Sequence, residues 1–93
     1  MLRFSRAPNL RQRSCVEAGC LVVFNPERRQ FRWLNASAWV LFDLCSGVTE
    51  SELATAYCEA TGAPVSPDAW LKLRSTLASL EASGLVVATK EER

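Results

Sequence analysis

Four cysteines, Cys15, Cys20, Cys45 and Cys58, carry the most reactive chemistry in this 93-residue chain, which contains no histidine. No two of them stand at C-x-x-C spacing, so the usual mixed zinc sites are out of reach and no metal site is expected. They read as buried small hydrophobes. Cys15 and Cys20 can also face each other across a hairpin, where a cytosolic setting would keep them reduced. Catalysis is equally hard to assemble. There is no glycine-rich phosphate cradle and no nucleophile elbow, and Asp43, Glu52 and Asp68 fall where helix-surface or capping acids belong. The expectation is a non-enzymatic chain with no catalytic residue and no cofactor.

Charge is more informative. With 11 basic residues against 10 acidic ones the net charge is +1, which gives no global attraction to a polyanion and argues against nucleic acid as a partner. Yet Arg3, Arg6, Arg11, Arg13, Arg28, Arg29 and Arg32 all lie in roughly the first third, ending at residue 32. Two readings stay open for them: a solvated sheet edge, or a surface that meets an acidic peptide. A hydrophobic content of 48% with 23% charged residues is that of a soluble globule. Residues 1–93 are expected to form one domain, burying about 60–65% of the unfolded surface. The longest apolar run, Trp39-Val40-Leu41-Phe42, falls far short of the roughly 20 residues a bilayer crossing needs. No apolar segment follows Met1-Leu2-Arg3-Phe4-Ser5-Arg6, so no signal peptide is read and a cytoplasmic location is expected.

The elements that must position these residues are legible from patterning. Residues 1–9 read as a loosely held N-terminus. Residues 10–17 and 21–24 are β-compatible runs around a turn at Gly19, and Asn25-Pro26-Glu27 is a second turn. A third strand over 28–34 completes an antiparallel meander. Within it Phe31 and Trp33 share one face and Gln30, Arg32 and Leu34 the other, so that one face is core and the other wet, with Trp33 expected inside. Asn35 is a good N-cap for a helix over 36–45 that Ser46-Gly47 closes, and Ala38, Leu41, Phe42 and Cys45 recur at helical spacing. Trp39 lies off that line, which places it half-buried between layers. Thr49-Glu50-Ser51-Glu52 is a capping box for a second helix that Gly62 stops. Ser66-Pro67-Asp68 opens a third, whose Trp70, Leu73, Leu77 and Leu80 make a core stripe and which ends at Gly84. Residues 85–88 form a short strand or an extended piece, and 89–93 a frayed tail. The fold class expected is α+β, a three-stranded antiparallel sheet followed by a three-helix bundle, as in a winged helix-turn-helix domain.

A meander has edges, and each edge offers unpaired amides and carbonyls to an extended segment. If 28–34 is an edge, Arg29 and Arg32 stand where acidic residues of such a segment would pass. The facing helix must supply pockets, and its second stripe, Leu71, Ser75, Ala78 and Ala82, is the candidate groove floor, with Arg74 beside it to clamp a carboxylate.

The order Pro8-x-Leu10, Val22-Val23-Phe24-Asn25-Pro26-Glu27, Leu34-Asn35-x-Ser37-Ala38 and Leu77-x-x-Leu80-x-x-x-Gly84-Leu85-Val86 resembles the PqqD family over nearly the whole chain. The resemblance implies a peptide chaperone. Such a domain binds the leader segment of a ribosomally made precursor peptide and presents its core to a modifying enzyme, often a radical SAM maturase. In the family the leader adds as a strand beside the third strand, against the third helix. The polar turn Asn25-Pro26-Glu27-Arg28-Arg29-Gln30 departs from the founding pattern, so pyrroloquinoline quinone biosynthesis itself is not assigned. The residues thus expected at the site are Arg28, Arg29, Gln30, Phe31, Arg32, Trp33, Leu34, Leu71, Arg74, Ser75 and Ala78. Partners expected are the leader peptide and the modifying enzyme, without nucleic acid or membrane, around a monomer or weak homodimer. The rivals are a winged-helix DNA-binding regulator, whose reading helix would offer only Lys72 and Arg74 with no Asn or Gln, and a homodimerising adaptor using the same strand edge.

Overall fold

The computed structural model describes residues 1–90. In chain order it comprises β1 (Leu2–Arg6), β2 (Arg11–Cys15), a 3-10 turn (Val16–Ala18), β3 (Cys20–Asn25), β4 (Gln30–Leu34), α1 (Ala36–Leu44), β5 (Ser46–Thr49), α2 (Glu50–Thr61), α3 (Pro67–Ala82) and β6 (Val86–Lys90). The α+β class and the three helices are as expected, but the single sheet followed by a bundle is not. Two antiparallel sheets form, one in the order β2-β3-β4 and the other in the order β5-β1-β6. The strands of the second sheet are interleaved with the helices along the chain.

Helix ends follow from local chemistry. The Asn35 side chain accepts a hydrogen bond from the Ala38 amide at 2.9 Å. At α2 the Thr49 hydroxyl accepts from the Glu52 amide at 3.3 Å while the Thr49 amide donates to the Glu52 carboxylate at 3.0 Å. That backbone hydrogen bond, and then the nearby Arg3 charge, hold the Glu52 carboxyl below its ordinary pKa. Ser66 caps α3 with Pro67 at the first helical position, and Gly62 ends α2 in the left-handed conformation.

The N-terminus corrects the sequence reading. Far from being loose, β1 is the central strand of its sheet and pairs with β5 on one side and β6 on the other. Phe4 is buried at 5% exposure in the common core. Arg3 donates to the Gly47 carbonyl at 2.9 Å and lies 3.6 Å from Glu52, and Arg6 lies 3.9 Å from Asp43. These partners are some 40 residues away in sequence, beyond the reach of any local pattern. The same applies to β5, read as a helix stop. Its pairing with β1 is irregular between Phe4 and Ser5, and Gly47, at φ +84°, takes up the extra residue as a bulge. At the other end Thr89 and Lys90 pair with Arg3 and Leu2, so they belong to β6 and not to a frayed tail; residues 91–93 of that expected tail lie outside the described residues.

One core joins all layers. Leu21 and Val23 of β3, Leu34, Leu41 and Phe42 of α1, Leu53 of α2, Leu73, Leu77 and Leu80 of α3, and Leu85 and Val86 meet with Phe4. Trp39 packs half-buried against this cluster, as its position off the helix stripe implied. If β1 is structural, Phe4→Ala costs about 3–5 kcal/mol of stability. Urea denaturation checks this, and an unchanged midpoint would return residues 1–9 to the status of a loose leader.

Candidate functional site

The site is built from a turn, a strand edge and a helix. Asn25 ends β3 and is buried at 5% exposure, so its amide must be satisfied internally. Its side-chain oxygen accepts from the Glu27 and Arg28 amides at 3.0 and 3.4 Å, which folds the turn. Its Nδ2 donates to the Gly84 carbonyl at 3.1 Å, just past the end of α3. Arg28 reinforces the junction by donating to the Ala82 carbonyl at 2.6 Å. A cation there also suits the negative end of the helix. Gly84 has φ +75°, and a Cβ at this position would lie 2.8 Å from both Asn25 Nδ2 and Arg28 Nε. The β3–β4 turn is thereby clamped to the α3–β6 turn, and the separation of β4 from α3 is set.

Among the described residues only β3 lies beside β4, which is therefore a free edge, and alternate residues direct backbone N–H and C=O groups away from the sheet. Between this strand and α3 runs a cleft that Arg32 divides, its guanidinium donating to the Ser79 hydroxyl at 2.6 Å. One half, about 340 Å³, is lined by Gln30, Phe31, Arg32, Ser83 and Leu85. The other, about 300 Å³, lies against Trp33, Leu34, Asn35, Ser37, Ala38, Ser75, Thr76, Ser79 and Leu80. Among the described residues Arg32 is the sole charged side chain lining either half, and no acid lines them.

The expected site residues separate into groups. Gln30, Phe31, Arg32, Trp33, Leu34 and Ser75 line the cleft. Arg28 is committed to the Ala82 carbonyl, and Arg29 sits at the exposed turn with φ +53°. Leu71 and Arg74 face a different depression with Pro67 and Trp70. Arg74 is paired with Glu50 and lies 5.4 Å over the Trp70 ring. Ala78 is exposed on α3 and lines neither half of the cleft. The helix wall is therefore made by Ser75, Thr76, Ser79 and Ser83 rather than by Leu71, Ser75 and Ala78. Its signal was present: small hydroxyl residues recurring at helical spacing beside the leucine stripe, on the flank nearer β4.

Trp33 is also corrected. It is 68% exposed, as is Phe31, while Leu34 is buried at 3%. Alternation defines two faces without saying which is inward. The β3 register decides, because Leu34 and Arg32 pair with the buried Leu21 and Val23, whereas Phe31 and Trp33 pair with Phe24 and Val22. The outer face accordingly carries Phe31 tilted against Phe24 at 4.8 Å, beside Arg11 and Arg13.

The cysteines divide too. Cys45 and Cys58 are buried as expected, but Cys15 is exposed and Cys20 half-buried. The Cys45 thiol donates to the Leu41 carbonyl at 3.2 Å, and burial pushes its pKa up to about 11. Among the described residues no group of three or more potential ligands converges on a metal position, and no helix is long and apolar enough to cross a membrane.

An open strand edge running along a helix cleft is the geometry on which an extended segment can add as a further strand. The chain belongs to the family described as Coenzyme PQQ synthesis protein D (PqqD), whose model matches residues 20–86. Membership makes it an accessory protein of coenzyme PQQ or related peptide-modifying biosynthesis. No curated protein and no solved structure matches the chain significantly. The matched span contains β4, α3 and every member of the clamp.

Loss of the Asn25 amide leaves the Gly84 carbonyl unpaired, so Asn25→Ala should cost about 1–3 kcal/mol. Gly84→Ala should cost a similar amount, about 1–3 kcal/mol, through overpacking. Because both act on one junction, the double variant should lose less than the sum of the two in urea denaturation. Simple additivity would show that the two residues act separately.

Proposed function

We propose that this protein is a non-enzymatic peptide chaperone, which takes up the leader segment of a ribosomally made precursor peptide as an added strand on β4 and presents the rest to a modifying enzyme such as a radical SAM maturase. The observation that carries the reading is the free β4 edge set along the α3 cleft by the Asn25–Gly84 junction. Main-chain hydrogen bonds to the outward groups of β4 supply most of the affinity, and alternate leader side chains enter the two halves of the cleft. Arg32 favours an acidic leader residue at the divide, and exchanging the Ser79 hydroxyl for a carboxylate gives it a stronger, charge-assisted partner. The residues assigned to recognition are Gln30, Phe31, Arg32, Trp33, Leu34, Ser75, Thr76 and Ser79, with Arg29 at the mouth.

A cytoplasmic setting, a monomer or weak homodimer, and no nucleic-acid or membrane partner complete the proposal. A DNA-reading role gains nothing from α3, where Arg74 is already paired with Glu50.

The ligand to test is the leader segment of a short precursor peptide sought among the neighbouring open reading frames. Arg32→Glu and Ser75→Trp should each weaken it at least tenfold, about 1.4 kcal/mol, in a titration followed by tryptophan fluorescence, with the fold unchanged by circular dichroism. Lys72→Ala should bind as the parent does, and affinity should fall only gently with salt. Parental affinity in both Arg32→Glu and Ser75→Trp would remove the cleft from the site.

A further inference from the structure

Cys15 and Cys20 are the last residue pair of the β2–β3 ladder and stand directly opposite one another. Opposed residues of an antiparallel pair project from the same face with Cα atoms about 4.5–5.5 Å apart. That lies inside the range of about 4.4–6.8 Å that a disulfide requires. The connection between them is short and ordered: the 3-10 turn Val16–Ala18 closes with the Gly19 amide donating to the Val16 carbonyl at 3.0 Å. Both thiols are free, Cys15 exposed and Cys20 half-buried, whereas Cys45 and Cys58 are buried. Arg11 and Arg13 lie at alternate positions on the same strand face as Cys15, which favours the approach of an anionic oxidant.

We propose that Cys15 and Cys20 form a redox-active cross-strand dithiol, held reduced under the resting cytosolic poise and oxidised to a disulfide when an anionic low-molecular-weight disulfide of the glutathione type accumulates. The exposed Cys15 thiolate attacks one sulfur of the oxidant, forming a mixed disulfide and releasing one small thiolate. Cys20, as thiolate, then attacks Cys15 Sγ and expels the second. The protein loses two protons and two electrons, and the oxidant is reduced to two thiols. Cys15, the more exposed of the two, meets the oxidant first, while burial and then the adjacent Cys15 thiol raise the Cys20 pKa and disfavour first attack there. The product fastens β2, exposed along its whole length, to β3 at its turn end.

Oxidised glutathione added to the reduced protein should give a monomer lighter by two hydrogens in intact mass, with free thiols falling from four to two and peptide mapping joining Cys15 to Cys20. In Cys20→Ser the reaction should stop at one glutathione held on Cys15, and amide exchange at Arg13 and Ser14 should slow only in the oxidised parent. A persistent glutathione adduct on the parent, a disulfide to Cys45 or Cys58, an intermolecular dimer, or no reaction across the range of glutathione redox buffers would overturn the proposal.

Discussion

The buried side chain of Asn25 is the contact on which the geometry of the cleft depends. One amide closes the β3–β4 turn through its oxygen and reaches the end of α3 through its nitrogen. A group so far out of water is costly unless every bond is made, and here the bonds can all be made only if Gly84 carries no side chain. Arg28 doubles the link at Ala82. Strand edges are common, but an edge held at a fixed distance from a helix wall is a constructed feature. Without the junction, β4 and α3 would be joined chiefly by the core beneath them and by the Arg32–Ser79 contact.

The arginines of the first third show how one residue type is divided among tasks. Arg3 and Arg6 anchor β1 to the α1–β5 region and to Asp43. Arg28 satisfies a helix end, and Arg32 bridges the cleft. Arg11 and Arg13 remain on the outer sheet face. The sequence reading left a solvated edge and an acidic-partner surface as alternatives for the whole cluster. The structure assigns neither to it as a unit, because charge patterning along a chain does not report which side chains meet a carbonyl in space.

Features written in neighbouring residues were legible. Asn35, Thr49 with Glu52, and Ser66 mark helix starts through bonds to residues three positions on, Pro67 by its place in the first turn, and Gly62 a helix end by its left-handed conformation. The leucine stripe of α3 was equally clear. Hidden from the sequence was whatever needed a distant partner: β1 pairs with the middle of the chain through β5 and with its far end through β6, so no neighbouring turn announces either pairing. The inward face of β4 was undetermined for the same reason, since Phe31 and Trp33 look more like core than Arg32 and Leu34 do until Leu21 and Val23 fix the register. Of the residues expected at the site, Gln30 to Leu34 line the cleft, and their place directly after the turn is what made them readable. Of the expected helix residues Ser75 lines the cleft whereas Leu71 and Ala78 do not, because apolar character says nothing of which flank of α3 borders β4.

Strand addition on the free edge of β4 is the central proposal. The most direct measurement is the set of intermolecular nuclear Overhauser contacts between isotope-labelled protein and an unlabelled candidate leader peptide. Contacts between leader backbone protons and those of Phe31, Arg32 and Trp33, with leader side chains reaching Thr76 and Ser79, are the predicted result. Contacts confined to Arg11, Phe24 and the outer sheet face, or to Leu71 and Arg74, would contradict it.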